Sequence, residues 1–494
     1  MDNYKNKKIY QILFNIFLLI VLPIVVLAPM GTWIPLIALA LITLFYKKSF
    51  KNIILDKKYI TLLITFISVT IMSYFLLNSE IKTISRLISL YFIFFSFLLV
   101  LNSYEIKTNF KSTTILLAIS LIISFFIIIF DYSFQIGFKL WLSNNLDFKN
   151  FNNFYSSKKW ISFTEFHKNH KFIIENYLSN TYDRGIAALS VLAVPIYALC
   201  IYLNMKKTAY LILLITLFGI GTFFNTTALI SFLLAFLLFF YLVFIKFLKK
   251  KSFLIFMLVC FSIIPLFLGN LNYKNFSDYE NTLEIKYDLL NHRIKYDFPF
   301  FFTDNNNSNV HLKNKQYDCC PFYKKAFIAF NKEDEKIEIL LFSLKYYILK
   351  LEKKILHRRI IWSFTKEKIL EKPLFGHGIF SSRTIGDQYK IINNENRISS
   401  AIPLHPHNSI LQLGLELGIT GIIIFHVFIY KIINKIYQIK KINCQYAAFS
   451  LASLFQIFLI GQFSYGFWQI WWISTIFINI LIYNILYKML LQVK

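Results

Sequence analysis

The sequence predicts an all-α integral membrane protein, on the evidence of its hydropathy, its apolar segments and the placement of its lysines. Hydrophobic residues make up 56% of the 494 residues, and the mean hydropathy is +0.54, which exceeds what a soluble core needs. A helix that crosses a hydrocarbon core needs about 20 apolar residues, and about twelve segments approach this length. They run approximately over 10–27, 33–46, 59–77, 87–101, 114–130, 186–203, 211–224, 228–247, 253–268, 409–430, 446–460 and 467–485.

The net charge of +27 has a topological explanation and does not indicate a nucleic-acid partner. The basic residues fall on alternate connections between the apolar segments, and Lys82 and Arg86 are the exceptions. The positive-inside rule then places both termini in the cytoplasm and the two long connections, 131–185 and 270–407, outside it. The lysine-rich segments are 5–8, 47–58, 107–111, 206–207, 246–251, 431–441 and 488–494.

This topology predicts three regions. Residues 1–270 hold transmembrane helices 1–9 with an external loop near 131–185, residues 271–407 form a large external loop with amphipathic helices, and residues 408–494 hold helices 10–12. Within the large loop, apolar residues recur at helical spacing over 333–368, and the pattern predicts a helix on the membrane or against the bundle. From Pro373 to Pro403 the composition predicts an irregular chain.

Five cysteines give no functional indication. Cys319 and Cys320 lie in the large loop, but neighbouring cysteines rarely pair with each other. We expect no redox site and no metal or other cofactor, because no set of ligands stands at a recognised spacing.

Histidine 407 is the strongest candidate for a catalytic base. It stands directly before a long apolar helix, with Asn408 at the expected N-cap, so its imidazole would lie beside a positive helix end. That field favours the neutral ring, which can accept a proton from a hydroxyl. The alternative role is a histidine that merely caps a loop; His405 is the competing base and His377, between two glycines, is a third candidate.

Three arginines are candidates for binding phosphate. Arg358 and Arg359 precede Trp362 on the expected surface helix, and because consecutive residues point about 100° apart, only one should face inward. Arg184 stands at the external mouth of a span, directly after Asp183. A guanidinium can bind phosphate oxygens because its N–H groups form a planar fork. The alternative to phosphate binding is contact with lipid headgroups for Arg358 and Arg359. For Arg184 the alternative is an ion pair with Asp183.

Further along the apolar helix, Glu416 could be a structural carboxylate in a close helix contact that Gly414, Gly418 and Gly421 permit. His426 lies deeper, and we expect it to be packed.

The order of these elements resembles the O-antigen ligase family and its wider relatives, the lipid-linked O-antigen polymerases. The similarity is specific over residues 358–421 and looser over the rest of the chain. The motifs that carry it are Arg358 four residues before Trp362, the run Pro373-Leu-Phe-Gly376-His-Gly378, the run Pro406-His-Asn408 before a span, and the run Leu415-Glu-Leu-Gly-Ile-Thr-Gly421.

This resemblance implies a GT-C-like, all-helical glycosyltransferase in the bacterial inner membrane, with its active site facing the periplasm. The family transfers a glycan from undecaprenyl pyrophosphate to a lipid A core sugar without a metal. By motif position His407 corresponds to its base and Arg358 to one of its pyrophosphate ligands. Many relatives carry a Ser-Arg pair where this chain has Asn225-Thr226-Thr227, so we expect Arg184 to supply the second contact.

Three functions are therefore open. A ligase is the first, and inversion at the anomeric carbon is expected because the hydroxyl attacks opposite the departing pyrophosphate. An O-antigen polymerase uses nearly the same donor but a lipid-linked glycan as acceptor. A transporter or flippase would also have many spans, but it should carry charged or broken helices at mid-membrane rather than a polar cluster at one edge.

Overall fold

The fold was analysed in a computed structural model, which describes residues 2–47, 81–103, 110–133, 170–222, 225–244, 358–359, 361–388, 390–392 and 398–492, with single positions at 64, 67, 68 and 71. The predicted span at 253–268, most of the one at 59–77, most of the 333–368 helix, and Cys319 and Cys320 lie outside the described residues.

Eleven helices and one hairpin have both ends defined within these ranges, and ten of the helices match predicted spans. The helices are α1 Asp2–Leu27, α2 Trp33–Lys47, α3 Ile81–Ser103, α4 Phe110–Ser133, α5 His170–Tyr202, α6 Lys206–Thr222, α7 Thr226–Phe244, α8 Ser381–Gln388, α9 Ser409–Lys440, α10 Cys444–Phe463 and α11 Ile470–Gln492; the hairpin strands are β1 Lys390–Ile392 and β2 Ile398–Ser400.

The protein is a multi-pass membrane protein. In the described part of the chain, seven helical segments are long and apolar enough to cross a membrane. Two shorter apolar segments, Gln11–Leu27 and Pro29–Leu44, lie in α1 and α2. The full set of twelve spans remains a prediction. The seven segments are Ile84–Leu101, Phe110–Asp131, Tyr182–Tyr202, Thr226–Val243, Ser409–Lys440, Cys444–Phe463 and Ile470–Leu491.

Helix α5 occupies the centre of the bundle and contacts α1, α4, α6, α7, α10 and α11. Its side chains from Ile186 to Cys200 are almost all buried. A Cβ added at Gly185 would lie 3.1 Å from the Cα of Val26, so glycine lets α5 approach α1 closely. Aromatic stacking fixes the outer helices, as between Phe239 of α7 and Phe449 of α10, whose ring centroids are 3.9 Å apart.

The two ends of the bundle differ in character. At one end the Tyr202 hydroxyl donates to the Met489 carbonyl at 3.3 Å, and the Lys435 ammonium lies over the Tyr487 ring. The lysine-rich connections at 206–207 and 431–441 belong to this end. Opposite it lie the ends of α5, α9 and α10 that carry the polar cluster described below.

Helix α9 is broken at Gly418, whose φ of 64° and ψ of −158° are not helical. The segment 373–378 fills the break. The Leu415 carbonyl accepts from the His377 N–H at 2.8 Å, and the Ile419 N–H donates to the Pro373 carbonyl at 2.8 Å. A broken span needs such replacement partners because lipid supplies none.

The glycines of α9 act differently from the prediction. A Cβ on Gly418 would lie 2.4 Å from the Leu374 carbonyl carbon, and one on Gly414 would lie 3.1 Å from the Ile369 side chain. Gly421 faces the Leu417 side chain of its own helix. Gly414 and Gly418 thus admit the segment 369–375 against α9, whereas Gly421 does not.

Two further expectations need correction. The stretch from Pro373 to Pro403 is not wholly irregular, because it contains α8 and the antiparallel pair β1–β2. Apart from this hairpin, the regular structure of the described residues is helical, which agrees with the predicted fold class. Helix α5 begins at His170 and not near Ile186, so the external loop near 131–185 ends in helix.

Candidate active site

The polar cluster forms where the ends of several helices meet, at the end of the bundle opposite the lysine-rich connections at 206–207 and 431–441. The start of the span in α5 supplies Asp183 and Arg184, and the loop before α9 supplies His405 and His407. The connection between α10 and α11 supplies Tyr465. The contacts below join these segments, which are far apart in the sequence, into one site.

His407 is held in an unusual backbone conformation. Its φ is +53°, a left-handed value that is uncommon outside glycine and often marks a functional position. Its Nδ1 lies 3.0 Å from the Ser464 carbonyl oxygen, which can only accept, so Nδ1 carries the proton in the neutral ring. The basic lone pair of the neutral ring is therefore on Nε2.

His405 supports His407. Its Nδ1 lies 3.1 Å from the His407 backbone N–H and accepts from it, and the two rings meet edge to face with centroids 4.6 Å apart. Burial, together with His407 and the charge of Arg184, lowers the pKa of His405 to about 3. A neutral, buried imidazole whose lone pair is already used is suited to holding the backbone of the 405–407 loop.

Arg358 faces a buried tyrosine and carboxylate pair. The Tyr465 hydroxyl donates to the Asp183 carboxylate at 3.0 Å. Burial lowers the pKa of the Arg358 guanidinium, and Asp183 and Tyr465 act in the opposite direction. Burial, reinforced by Asp183, raises the pKa of Tyr465 well above its usual range, so its hydroxyl stays protonated. The arrangement places a desolvated cation at the mouth of α5.

Arg184 lies at the edge of the same cluster. Its Nη1 contacts the Met30 sulfur at 3.1 Å. Its positive charge acts to lower the pKa of both His405 and Tyr465. The Asp183 carboxylate accepts from the Tyr465 hydroxyl, and the Arg184 guanidinium contacts Met30.

Arg359 is less clearly part of the site. Its Nε is buried and has no hydrogen-bond partner among the described residues. Within the same residues, no contact joins it to Asp183 or Tyr465. Of the consecutive pair, Arg358 is the one whose charge is coupled to the cluster.

Trp362 ties the helix of Arg358 to the histidine loop. Its buried indole Nε1 donates to the Pro406 carbonyl at 2.9 Å. Residues 358–359 and 361–371 are helical, so Arg358 and Trp362, four residues apart, share one face. This explains the spacing of the arginine and tryptophan in the motif.

Asn408 is the N-cap of α9, as the sequence predicted. Its Oδ1 accepts from the Ile410 and Leu411 N–H groups at 3.0 and 2.9 Å. Its Nδ2 donates to the backbone and side-chain oxygens of Gln462. The fully buried amide thus fixes α9 against the end of α10 directly beside His407.

Glu416 is a structural carboxylate, fully buried and surrounded by donors. The Phe380 N–H donates to it at 2.7 Å, the Gln412 amide at 3.0 Å and the Trp468 indole at 2.5 Å. The Ser382 hydroxyl donates as well. These bonds hold α8, α9 and the connection before α11 together.

Two further histidines named in the sequence analysis, His377 and His426, also have structural partners. His377 Nε2 lies 2.7 Å from the Lys368 carbonyl, and His426 Nδ1 lies 2.8 Å from the Ile422 carbonyl. Neither is brought to the Asp183–Tyr465 pair. His377 is therefore not supported as a base.

The sequence analysis missed the connection between α10 and α11. Ser464 orients His407, Tyr465 engages Asp183, and a Cβ on Gly466 would lie 2.9 Å from the His405 ring. The available signal was a short external turn with a glycine between aromatic residues, Ser464 to Trp468, on the side assigned by the lysine pattern.

No group of three or more His, Cys, Asp and Glu side chains converges as metal ligands would, within the part of the chain that the structure describes.

Comparison with known proteins confirms the resemblance found in the sequence. Residues 211–426 match the family model described as O-antigen ligase. That segment includes Arg358, His405 and His407, whereas Arg184 and Tyr465 lie outside it.

Similar proteins come from Rickettsia. A candidate polysaccharide ligase of Rickettsia conorii is 45% identical over 121 residues, and one of Rickettsia felis is 43% identical over 120. Each alignment covers 24% of this chain and 29% of the relative, so the chain spans under a third of the length of the curated relatives it matches. No solved structure matches the chain.

Proposed function

We propose that this chain, which carries the O-antigen ligase family domain over residues 211–426, is an inverting glycosyltransferase of the bacterial inner membrane. It transfers a glycan from undecaprenyl pyrophosphate to the lipid A core on the periplasmic side. The twelve-span topology, the division at residues 270 and 408 and the GT-C-like fold belong to the same proposal.

The observation that carries the proposal is a connected set of contacts: His407 is bonded to His405, His405 lies within reach of the charge of Arg184, and Arg184 and Arg358 both act on the bonded pair Asp183–Tyr465. A glycan joined through its anomeric carbon to pyrophosphate already has a good leaving group. The protein must bind that group and activate the acceptor hydroxyl. An imidazole that can act as a base and cations at the mouth of α5 meet both needs.

In this reaction, the acceptor oxygen bonds to the anomeric carbon as the bond from that carbon to the pyrophosphate oxygen breaks. The hydroxyl proton passes to His407 Nε2. Arg358 and Arg184 stabilise the negative charge that grows on the departing pyrophosphate, with Arg359 as a further candidate ligand. His405 acts through His407 by accepting its backbone N–H.

The broken helix α9 does not favour a transporter. Transporters with broken spans direct the free helix ends at a substrate. Here the polar backbone at Gly418 is bonded to the segment 373–378, so the break is closed by protein.

The test uses purified protein, lipid-linked glycan with a labelled sugar, and lipid A core. Wild-type protein should attach the label to the core, and His407→Ala should be slower by about 10²-fold or more, the usual contribution of a general base. Full attachment by His407→Ala would remove the proposed base. Omitting lipid A core separates the alternatives, because continued growth of the lipid-linked glycan would identify a polymerase.

A further inference from the structure

An apolar turn projects from the external segment that fills the break in α9. Leu370 and Leu374 are 66% and 61% exposed, and Phe375 is 49% exposed. Three large apolar side chains so close in sequence form a patch that water solvates poorly, which marks an interaction surface. We call residues 370–375 the apolar turn.

The apolar turn is fixed at a defined level of the bundle. Its Pro373 carbonyl accepts from the Ile419 N–H at 2.8 Å, and its backbone lies against Gly418. Gly418 is ten residues along α9 from Asn408, which is about 15 Å at the helical rise. The turn therefore lies about 15 Å further into the bundle than the His407 loop.

At this level the exposed face of α9 already has the character of a lipid contact. Ile419, Ile423 and Val427 are each about half exposed and repeat every four residues, so they form one stripe. Lys431 is the first basic residue that follows the stripe. Since Ile419 is bonded to the apolar turn, the exposed surface of the turn continues this stripe.

We propose that the apolar turn is inserted into the hydrocarbon of the outer leaflet and is covered there by lipid acyl chains. Of the flanking charges, Glu371 is bonded to Lys368 at 2.6 Å, so these two charges offset each other.

Insertion would anchor the helix that carries Arg358 and Trp362, because the turn follows that helix directly. The guanidinium would then be held at the level of the headgroups, where a lipid-linked pyrophosphate must lie. The inserted turn is a property of membrane docking and does not depend on the transfer reaction.

The test places an environment-sensitive fluorophore on single cysteines in the full chain, from which the five native cysteines have been replaced. Leu374→Cys and Phe375→Cys report on the turn, so that loss of one variant leaves the other. Ile423→Cys on the α9 stripe is the lipid-exposed control, and Thr384→Cys on the exposed face of α8 is the aqueous control. The labelled proteins are reconstituted in phosphatidylcholine vesicles with nitroxide groups on the acyl chains.

We expect the acyl nitroxides to quench the probe on the turn as strongly as the probe at position 423, with emission shifted to shorter wavelength. Quenching as weak as at position 384 would overturn the proposal. A probe with short-wavelength emission that resists both the acyl nitroxides and a water-soluble quencher would also overturn it, because protein, such as a second copy of this chain, would then cover the turn.

Discussion

His405 and His407 are two residues apart, yet their hydrogen bonds assign them different tasks. His407 donates from Nδ1, so its basic lone pair is on Nε2, whereas the Nδ1 lone pair of His405 accepts the His407 backbone N–H. In the proposed mechanism the strongest candidate in the sequence is the base, and its competitor is the residue that positions it.

Replacement of His405 should separate two contributions of this residue to stability, that of its hydrogen bond and that of its protonation. In the folded protein the imidazole resists protonation down to a pKa of about 3, whereas the unfolded side chain takes up a proton near pH 6.5. Its contribution to stability is therefore complete above about pH 6.5 and falls steadily towards pH 3. Linkage gives a loss of about 2 kcal/mol between pH 7 and pH 5.

The Asn side chain places an acceptor oxygen where His405 has Nδ1, but it does not titrate. His405→Asn should retain stability close to wild type at pH 7, while His405→Ala should lose about 1–3 kcal/mol because a buried N–H is left without its partner. Thermal midpoints at pH 7 and pH 5 check this. An equal decline with pH in wild type and His405→Asn would contradict the assigned role.

At the scale of the elements, the break in α9 depends on two glycines that are far apart in the sequence. Gly376 and Gly418 both have positive φ, and each lies against the backbone of the other's segment. The motifs around these two glycines therefore meet in one backbone contact, which we call the joint. Glu416, bonded to Phe380, Ser382, Gln412 and Trp468, holds the same joint together.

Gly418→Ala should destabilise the protein by more than about 2 kcal/mol, because a Cβ would strain the left-handed backbone and meet Leu374 at 2.4 Å. Gly221→Ala is the matched control, since its Cβ would meet nothing within 4 Å in α6. That change should be neutral or stabilising by up to about 1 kcal/mol. Unfolding in detergent measures both, and equal behaviour of the two variants would show that the joint is not required.

At the scale of the whole molecule, charge and chemistry are separated between the two ends of the bundle. The lysine-rich connections at 206–207 and 431–441 lie at one end, and His407, Arg358 and Arg184 lie at the other. Because positive charge is retained on the cytoplasmic side of a membrane, we propose that the candidate site faces away from the cytoplasm.

Labelling of single cysteines in intact cells should show this orientation. Cys444 is exposed at the first residue of α10, shortly after the lysine-rich segment 431–441, and Thr384 is exposed on α8. With the other cysteines replaced, Thr384→Cys should react with a membrane-impermeant thiol reagent in cells whose outer membrane alone is permeable. Cys444 should react only after lysis, and the reverse order would place the site in the cytoplasm.

The sequence by itself determined the membrane class, ten of the helices, the N-cap at Asn408 and the candidates His407, Arg358 and Arg184. Apolar length, lysine placement and capping are local properties of the chain, so they can be read without knowing what packs against what. The family resemblance rested on the same local motifs.

The tertiary structure alone decided which candidates share a site and what each can do. The choice between His405 and His407 depends on Ser464, and the setting of Arg358 depends on Asp183 and Tyr465, residues brought together from distant parts of the chain. The break in α9 likewise exists only because the segment 373–378 supplies hydrogen bonds that lipid cannot. Such partners are fixed by packing in three dimensions, and no local pattern in the sequence encodes them.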